Sequence, residues 1–116
     1  MRKLSLENYT FSARNQQGVY QVLTYQFKDA LINVITHQSL GLNGPEMMEI
    51  DPVVEKIKKA GLEVTLTDDD YGKMAENFKR FRGFSNNDRQ FIKRFYNCPE
   101  VPDDGEKVID IEFTKN

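Results

Sequence analysis

The sequence predicts a single α+β domain, and three observations support this fold class. Apolar residues alternate with polar ones in the first quarter of the chain, which is typical of strands, and they recur at helical spacing from residue 28 onwards. A chain of 116 residues is long enough for one hydrophobic core and too short for two. We therefore expect a small antiparallel sheet packed against four or five short helices, with residues 1–98 as the domain and residues 99–116 as an acidic C-terminal tail or edge strand.

Two N-terminal strands are predicted over about residues 2–13 and 18–27, where apolar side chains occupy every second position. The polar connection 14–18 ends at Gly18, which can supply the positive φ of a tight turn, so these strands should form an antiparallel hairpin. The phase of the alternation changes near Asn8, which indicates a β-bulge. A third strand over 62–66 and a possible fourth over 107–113 complete the predicted sheet.

The helices are predicted from apolar stripes and from their start signals. One buried helix begins near Lys28, and residues 45–60 form either two short helices or one helix kinked at Pro52. A helical hairpin follows over 68–97, because Thr67 and Ser85 each stand three residues before an aspartate, as in a capping box. Its core side should consist of four rings, namely Phe78, Phe81, Phe91 and Phe95.

Composition excludes several classes of protein and places the chain in the cytoplasm. Charged residues make up 29% of the chain and no apolar run approaches the roughly 20 residues of a membrane span. The N-terminus has a basic start without an apolar segment behind it, so no secretory signal is predicted. A single cysteine, Cys98, permits no intrachain disulfide, as is usual in a reducing compartment.

The small net charge of −2 conceals strong segregation along the chain. Residues 73–96 carry seven Lys and Arg against two acids, for a net charge of +5. Residues 46–72 carry a net charge of −5, and residues 100–116 carry −4. Such a basic block either is neutralised within the fold or faces a charged partner, and the sequence leaves both alternatives open.

No pattern of residues predicts catalysis, a metal site or a cofactor. Cys98 has no neighbouring base in the sequence, since His37 belongs to a different helix. The acids at 68–70 stand where a helix start favours negative charge, and the acidic turn at 103–106 lacks the remaining ligands of a calcium loop. The loop 41–45 has two glycines but lacks the lysine of a phosphate-binding loop. We therefore expect a protein that is not an enzyme.

The stretch 78–96 is the best candidate for a binding site, because it interleaves basic and aromatic residues. Nucleic-acid binders use such patterns, with cations for phosphates and rings for stacked bases. Most of the rings fall at core spacing, which leaves mainly Phe84 free to stack. The predicted site therefore combines one ring with six cations and suits phosphates or an acidic protein surface; its members are Lys79, Arg80, Arg82, Phe84, Arg89, Lys93 and Arg94.

Four segments together resemble small accessory proteins that tailed phages and prophages encode. They are the opening Met-Arg-Lys-Leu at 1–4, Lys-Asp-Ala-Leu-Ile at 28–32, the connector Leu-Gly-Leu-Asn-Gly at 40–44, and the joint Arg-Gly-Phe-Ser-Asn-Asn-Asp at 82–88. The similarity covers roughly residues 1–98 and concerns order and style rather than a diagnostic motif.

This resemblance implies a role in virion assembly or in regulating host or phage functions, in the host-cell cytoplasm or in the virion. We expect an interaction protein that acts as an assembly or adaptor factor through contacts with a protein partner or with further copies of itself. The alternative is a nucleic-acid-binding regulator that uses the basic helical hairpin 73–96. Neither function requires a membrane or a small-molecule cofactor.

Overall fold

The computed structural model describes residues 1–101, and the α+β prediction is confirmed within them. The strands are β1 (Arg2–Ser5), β2 (Tyr9–Arg14), β3 (Tyr20–Tyr25) and β4 (Glu63–Leu66). The helices are α1 (Phe27–Thr36), α2 (Gly44–Lys59), α3 (Asp68–Arg80) and α4 (Arg89–Tyr96), with short 3-10 turns at Gln38–Leu40 and Asn86–Asp88. Of the predicted tail or edge strand at 99–116, only residues 99–101 are described, and the predicted strand at 107–113 lies outside the described residues.

The strands form two separate two-stranded sheets instead of the single sheet that the alternation predicts. In the first sheet β1 pairs antiparallel with β4, and the chain after α4 follows the other edge of β1, where the Val101 amide donates to the Met1 carbonyl. The second sheet is the antiparallel hairpin of β2 and β3. The predicted third strand is therefore present, but it pairs with β1 and not with the hairpin.

Asn8 explains why one predicted strand becomes two. Its side-chain oxygen accepts a hydrogen bond from the Phe27 amide at 3.0 Å, and its side-chain nitrogen donates to the Gln26 amide oxygen at 3.1 Å. Asn8 thus satisfies a free amide at the start of α1, where Gln26 provides no side-chain cap. The change of phase predicted near Asn8 is a break between β1 and β2 and not a bulge within a continuous strand.

The predicted tight turn of the hairpin is confirmed. Gly18 adopts a φ of 82°, its amide donates to the Asn15 carbonyl, and the Asn15 amide donates to the Val19 carbonyl at 2.8 Å. A residue other than glycine would be strained at this φ. The turn also fixes which backbone groups of the hairpin face outward, as described below.

The predicted capping boxes at Thr67 and Ser85 are both present. The box at Ser85 begins the 3-10 turn that continues into α4. Residues 44–59 form one helix that contains Pro52, so the alternative of two short helices is wrong. Because Pro52 lacks an amide hydrogen, the α2 backbone loses one hydrogen bond at this point.

The core lies between the first sheet and the four helices, and its centre is aromatic. Phe78 on α3 stacks on Phe95 on α4 with ring centroids 4.0 Å apart, and Phe91 meets the ring of Phe27 edge-on at 5.0 Å. Asn77 is buried here, and its side chain donates to the Ile35 carbonyl at 2.8 Å, which satisfies a carbonyl in the last turn of α1. None of the helices within residues 1–101 has the length and apolar character needed to cross a membrane.

Candidate protein-interaction surface

The predicted cations do not form one continuous rim, because two of them are held by the fold. Arg80 donates to the Leu40 carbonyl at 2.7 Å and lies 3.4 Å from the Glu46 carboxylate, so it ties α3 to the start of α2. The Glu46 carboxylate also accepts a hydrogen bond from the Asn43 backbone amide, and this hydrogen bond, together with the charge of Arg80, lowers the pKa of Glu46. Arg80 therefore has a structural role in addition to its charge.

Arg94 is held even more firmly than Arg80. Its guanidinium donates to the Glu7 carbonyl at 2.6 Å and to the Ser5 carbonyl at 3.3 Å, and it lies 4.2 Å from the centroid of the Phe27 ring. A planar guanidinium can stack on a ring and donate in its own plane at the same time. Arg94 thus fastens α4 to the connection between β1 and β2.

The other four predicted cations are exposed. Lys79 lies 3.9 Å from Glu76, one turn away on the same helix, a surface pair that contributes little to stability. Arg82, Arg89 and Lys93 form no salt bridge with any residue between 1 and 101. These three remain available to a charged partner, and Arg89 and Lys93 share one side of α4.

Phe84 is not the freely projecting ring that the sequence predicts. It is half-buried and packs edge-on against Phe81 at 4.7 Å, with Phe78 at 5.8 Å. Gly83 permits this arrangement, because a Cβ at residue 83 would stand 2.7 Å from the Phe81 ring. Phe84 fills the joint between α3 and α4, and Phe81, predicted to be core, is only half-buried at the same joint.

Arg89 and Lys93 line an open groove of about 350 Å³ between α4 and the hairpin. Tyr9, Phe11 and Ser12 of β2 form the opposite wall. Its remaining wall consists of amide side chains, namely those of Asn86, Asn87 and Gln90. The groove combines two aromatic rings with two cations and several hydrogen-bonding groups, a lining that suits an extended polar chain better than a small apolar ligand.

The base of the hairpin is anchored to the helices by two tyrosines. Tyr9 and Tyr25 pair across the strands and stack with ring centroids 4.8 Å apart, and Tyr25 also contacts the ring of Phe91. The Tyr25 hydroxyl donates to the Asp88 carboxylate at 2.5 Å, and burial together with this bond raises the pKa of Tyr25. Burial likewise raises the pKa of Tyr9, and the nearby Phe91 backbone opposes this shift; the buried Tyr9 hydroxyl forms no hydrogen bond of good geometry among residues 1–101.

Beyond this base the hairpin is exposed, although the alternation along β3 predicts a strand with one buried face. Every residue of β3 from Tyr20 to Thr24 is exposed. Three apolar side chains here retain most of their accessible surface: Val22 is 74% exposed, Tyr20 68% and Val19 58%. Sequence reasoning missed this surface, because alternating apolar residues look the same whether their face meets a core or the solvent.

Both outer edges of the hairpin present unpaired backbone groups. The bond between Asn15 and Val19 makes the odd-numbered pairs of the ladder the hydrogen-bonded ones. The amides and carbonyls of Tyr20, Val22 and Thr24 therefore point away from β2. No other strand pairs with this edge within the described residues. Such an edge can accept an additional strand.

The structure does not bring the candidate catalytic residues together. His37 accepts a hydrogen bond from the Ser39 amide and meets the ring of Phe81, whereas Cys98 is buried beside Arg2. Burial raises the pKa of the Cys98 thiol, which reduces the fraction present as the reactive thiolate. Within residues 1–101, no three His, Cys, Asp or Glu side chains lie close enough to hold a metal ion.

Comparison of the chain with protein-family models, with curated proteins and with solved structures gave no match.

Proposed function

We propose that this chain is a small protein-binding factor, not an enzyme, that docks on a protein partner through the hairpin of β2 and β3. The observation that carries the proposal is the exposure of Val19, Tyr20 and Val22 beside an unpaired strand edge. Burying a valine or leucine side chain contributes about 1.5–3 kcal/mol, so a partner that covers this surface gains binding energy that the free protein leaves unused. No cofactor or metal takes part in this function.

The anchoring of the hairpin also supports docking rather than catalysis. Tyr25 fixes the base of the hairpin through its contact with Phe91 and its hydrogen bond to Asp88, so the exposed part is presented on a firm support. Preorganised elements lose less entropy when they bind. An adaptor or virion-assembly factor of the phage type, active in the host cytoplasm or in the virion, fits both this surface and the resemblance over residues 1–98.

Site-specific photocrosslinking in the cells that naturally produce the chain tests the proposal. A photoreactive side chain at Gln21 reports on the hairpin, and the same group at Glu55, exposed on α2, serves as the matched control. We expect protein adducts from position 21 and none from position 55. Replacing Val22 with threonine, which keeps the β-branched shape, should reduce the adducts. Equal adducts from both positions, or none from position 21, would overturn the proposal.

Binding to labelled DNA and RNA across a salt series tests the alternative function. A nucleic-acid-binding regulator should lose affinity steeply with salt, and reversal of Arg82, Arg89 and Lys93 to glutamate should abolish its binding. Our proposal predicts that this triple reversal leaves the adducts from position 21 in place. Tight, salt-dependent binding that requires the three cations would assign the chain to the alternative class.

A further inference from the structure

We infer that the exposed edge of β3 pairs with the same edge of a second copy, so that two hairpins form one four-stranded antiparallel sheet around a two-fold axis at Val22. This inference rests on the proposed function and names one partner of the hairpin. The arrangement is isologous, since the same surface serves both copies. It uses only residues that the structure describes.

The edge of β3 has none of the features that usually protect an edge strand. Natural edge strands usually carry a lysine, a proline or a bulge that prevents pairing with another chain. Residues 19–25 contain no charged residue and no proline, and all six residues of β3 pair regularly with β2. The other edge differs, because β2 ends in Arg14 and borders the groove with Arg89 and Lys93. The edge of β3 is therefore the one suited to an uncharged partner strand.

The hydrogen-bond pattern of the hairpin imposes the register of this pairing. The outward-facing backbone groups belong to Tyr20, Val22 and Thr24, so an antiparallel pair centred on Val22 joins these residues in about six backbone hydrogen bonds. Val22 then faces its own copy across the axis, and Tyr20 of each chain faces Thr24 of the other. These three side chains lie on one face of the sheet, and pairs of β-branched and aromatic residues stabilise such contacts.

The tip and the base of the hairpin carry opposite charges. The tip carries Arg14, which lies over the Tyr20 ring and forms no salt bridge within residues 1–101. The base carries Asp29, an exposed acid on the helix that directly follows β3, and it has no salt-bridge partner among the same residues. Its neighbour Lys28 donates to the Lys58 and Ala60 carbonyls. An antiparallel pair of β3 strands brings the tip of each hairpin toward the base of the other, so Arg14 of each copy approaches the end of the other copy that carries Asp29.

Sedimentation equilibrium of the full chain over a range of concentrations tests the inference. We expect a dimer whose dissociation constant rises at least tenfold in Val22→Lys, since this change places two like charges at the axis. Thr10→Lys is the matched control, because Thr10 is exposed, lies on the same face of the sheet as Val22, pairs with Thr24 from the β2 side and does not line the groove. This control should dimerise like the unchanged chain. Circular dichroism and thermal melts establish that both variants fold.

Mixing complementary variants tests the two-fold axis itself. Val22→Lys and Val22→Glu should each remain monomeric and should associate when mixed, because opposite charges then face each other across the axis. Amide exchange gives an independent readout: the amides of Tyr20, Val22 and Thr24 should gain protection as the concentration rises. A monomeric wild-type chain, a Val22→Lys dimer, or concentration-dependent protection centred on residues 107–113 instead of β3 would overturn the inference. A monomer that still forms adducts with other proteins from position 21 would leave the proposed function intact.

Discussion

The anchor of the hairpin allows two identical chemical changes to be compared at neighbouring sites. Tyr25→Phe removes a hydroxyl that donates to the Asp88 carboxylate at 2.5 Å, whereas Tyr9→Phe removes a buried hydroxyl without a partner within residues 1–101. The two rings stack on each other and lose the same atom. Any difference between the variants therefore reflects the surroundings of the two hydroxyls and not the loss of ring packing.

The two substitutions should change the free energy of unfolding differently. A hydrogen bond to a charged group contributes about 1.5–3 kcal/mol. We expect Tyr25→Phe to lower the free energy of unfolding by about 1.5–2 kcal/mol, the lower part of this range, because Tyr25 is half-buried and Asp88 keeps its hydrogen bond from the Ser85 amide. Tyr9→Phe should leave the free energy of unfolding unchanged or raise it by up to about 1 kcal/mol, because an unsatisfied hydroxyl is costly to bury.

Denaturant melts and calorimetry at pH 7 provide the assay. For a domain of this size, 1 kcal/mol corresponds to a change in Tm of about 4–8 °C. The pKa of Tyr25 is raised in the folded state, so its contribution is complete below about pH 10 and is lost as the pH rises toward the folded pKa. Replacing Tyr25 should therefore also weaken the alkaline loss of stability. Equal effects of the two changes at pH 7 would refute the assignment of the anchor.

Three further predictions concern the core, the cations and the response to acid. Phe95→Ala should lower the free energy of unfolding by about 3–5 kcal/mol and Phe81→Ala by less, because Phe95 is fully buried and Phe81 is not. Denaturant melts that give the reverse order would contradict the packing described for the joint between α3 and α4. Arg94→Lys should lower the free energy of unfolding by about 1–3 kcal/mol, since lysine cannot reproduce the hydrogen bonds of the guanidinium. Arg89→Lys should change it by no more than about 0.5 kcal/mol. Equal losses of stability in thermal melts would mean that Arg94 is not a structural residue. Burial raises the pKa of Asp70, but the hydrogen bonds from Lys56 and from the Thr67 amide outweigh burial and lower this pKa overall. The stability that Asp70 provides is therefore present above about pH 4 and is lost as the pH falls through the folded pKa. Asp70→Asn should flatten the stability profile between about pH 5 and pH 2, and an unchanged profile would show that Asp70 does not drive the acid response.

Local signals determined much of the fold from the sequence alone. The capping boxes at Thr67 and Ser85 and the positive φ of Gly18 were predictable, because each depends on groups only a few residues apart. The core rings of Phe78, Phe91 and Phe95 were predictable for a related reason, since helical spacing places them on one face. The α+β class follows from these elements.

Long-range contacts decided the rest. Asn8 ends β1 by capping a helix that begins 19 positions later, so the strands divide into two sheets. Arg94 is withdrawn from the basic surface by the Glu7 carbonyl, 87 positions away, and nothing in the local pattern distinguishes it from the exposed Arg89. The exposure of Val19 and Leu23, two residues of the alternating apolar set, has the same origin. The alternation of apolar and polar residues predicts which side chains share a face of a strand, but only the tertiary structure decides whether another element covers that face.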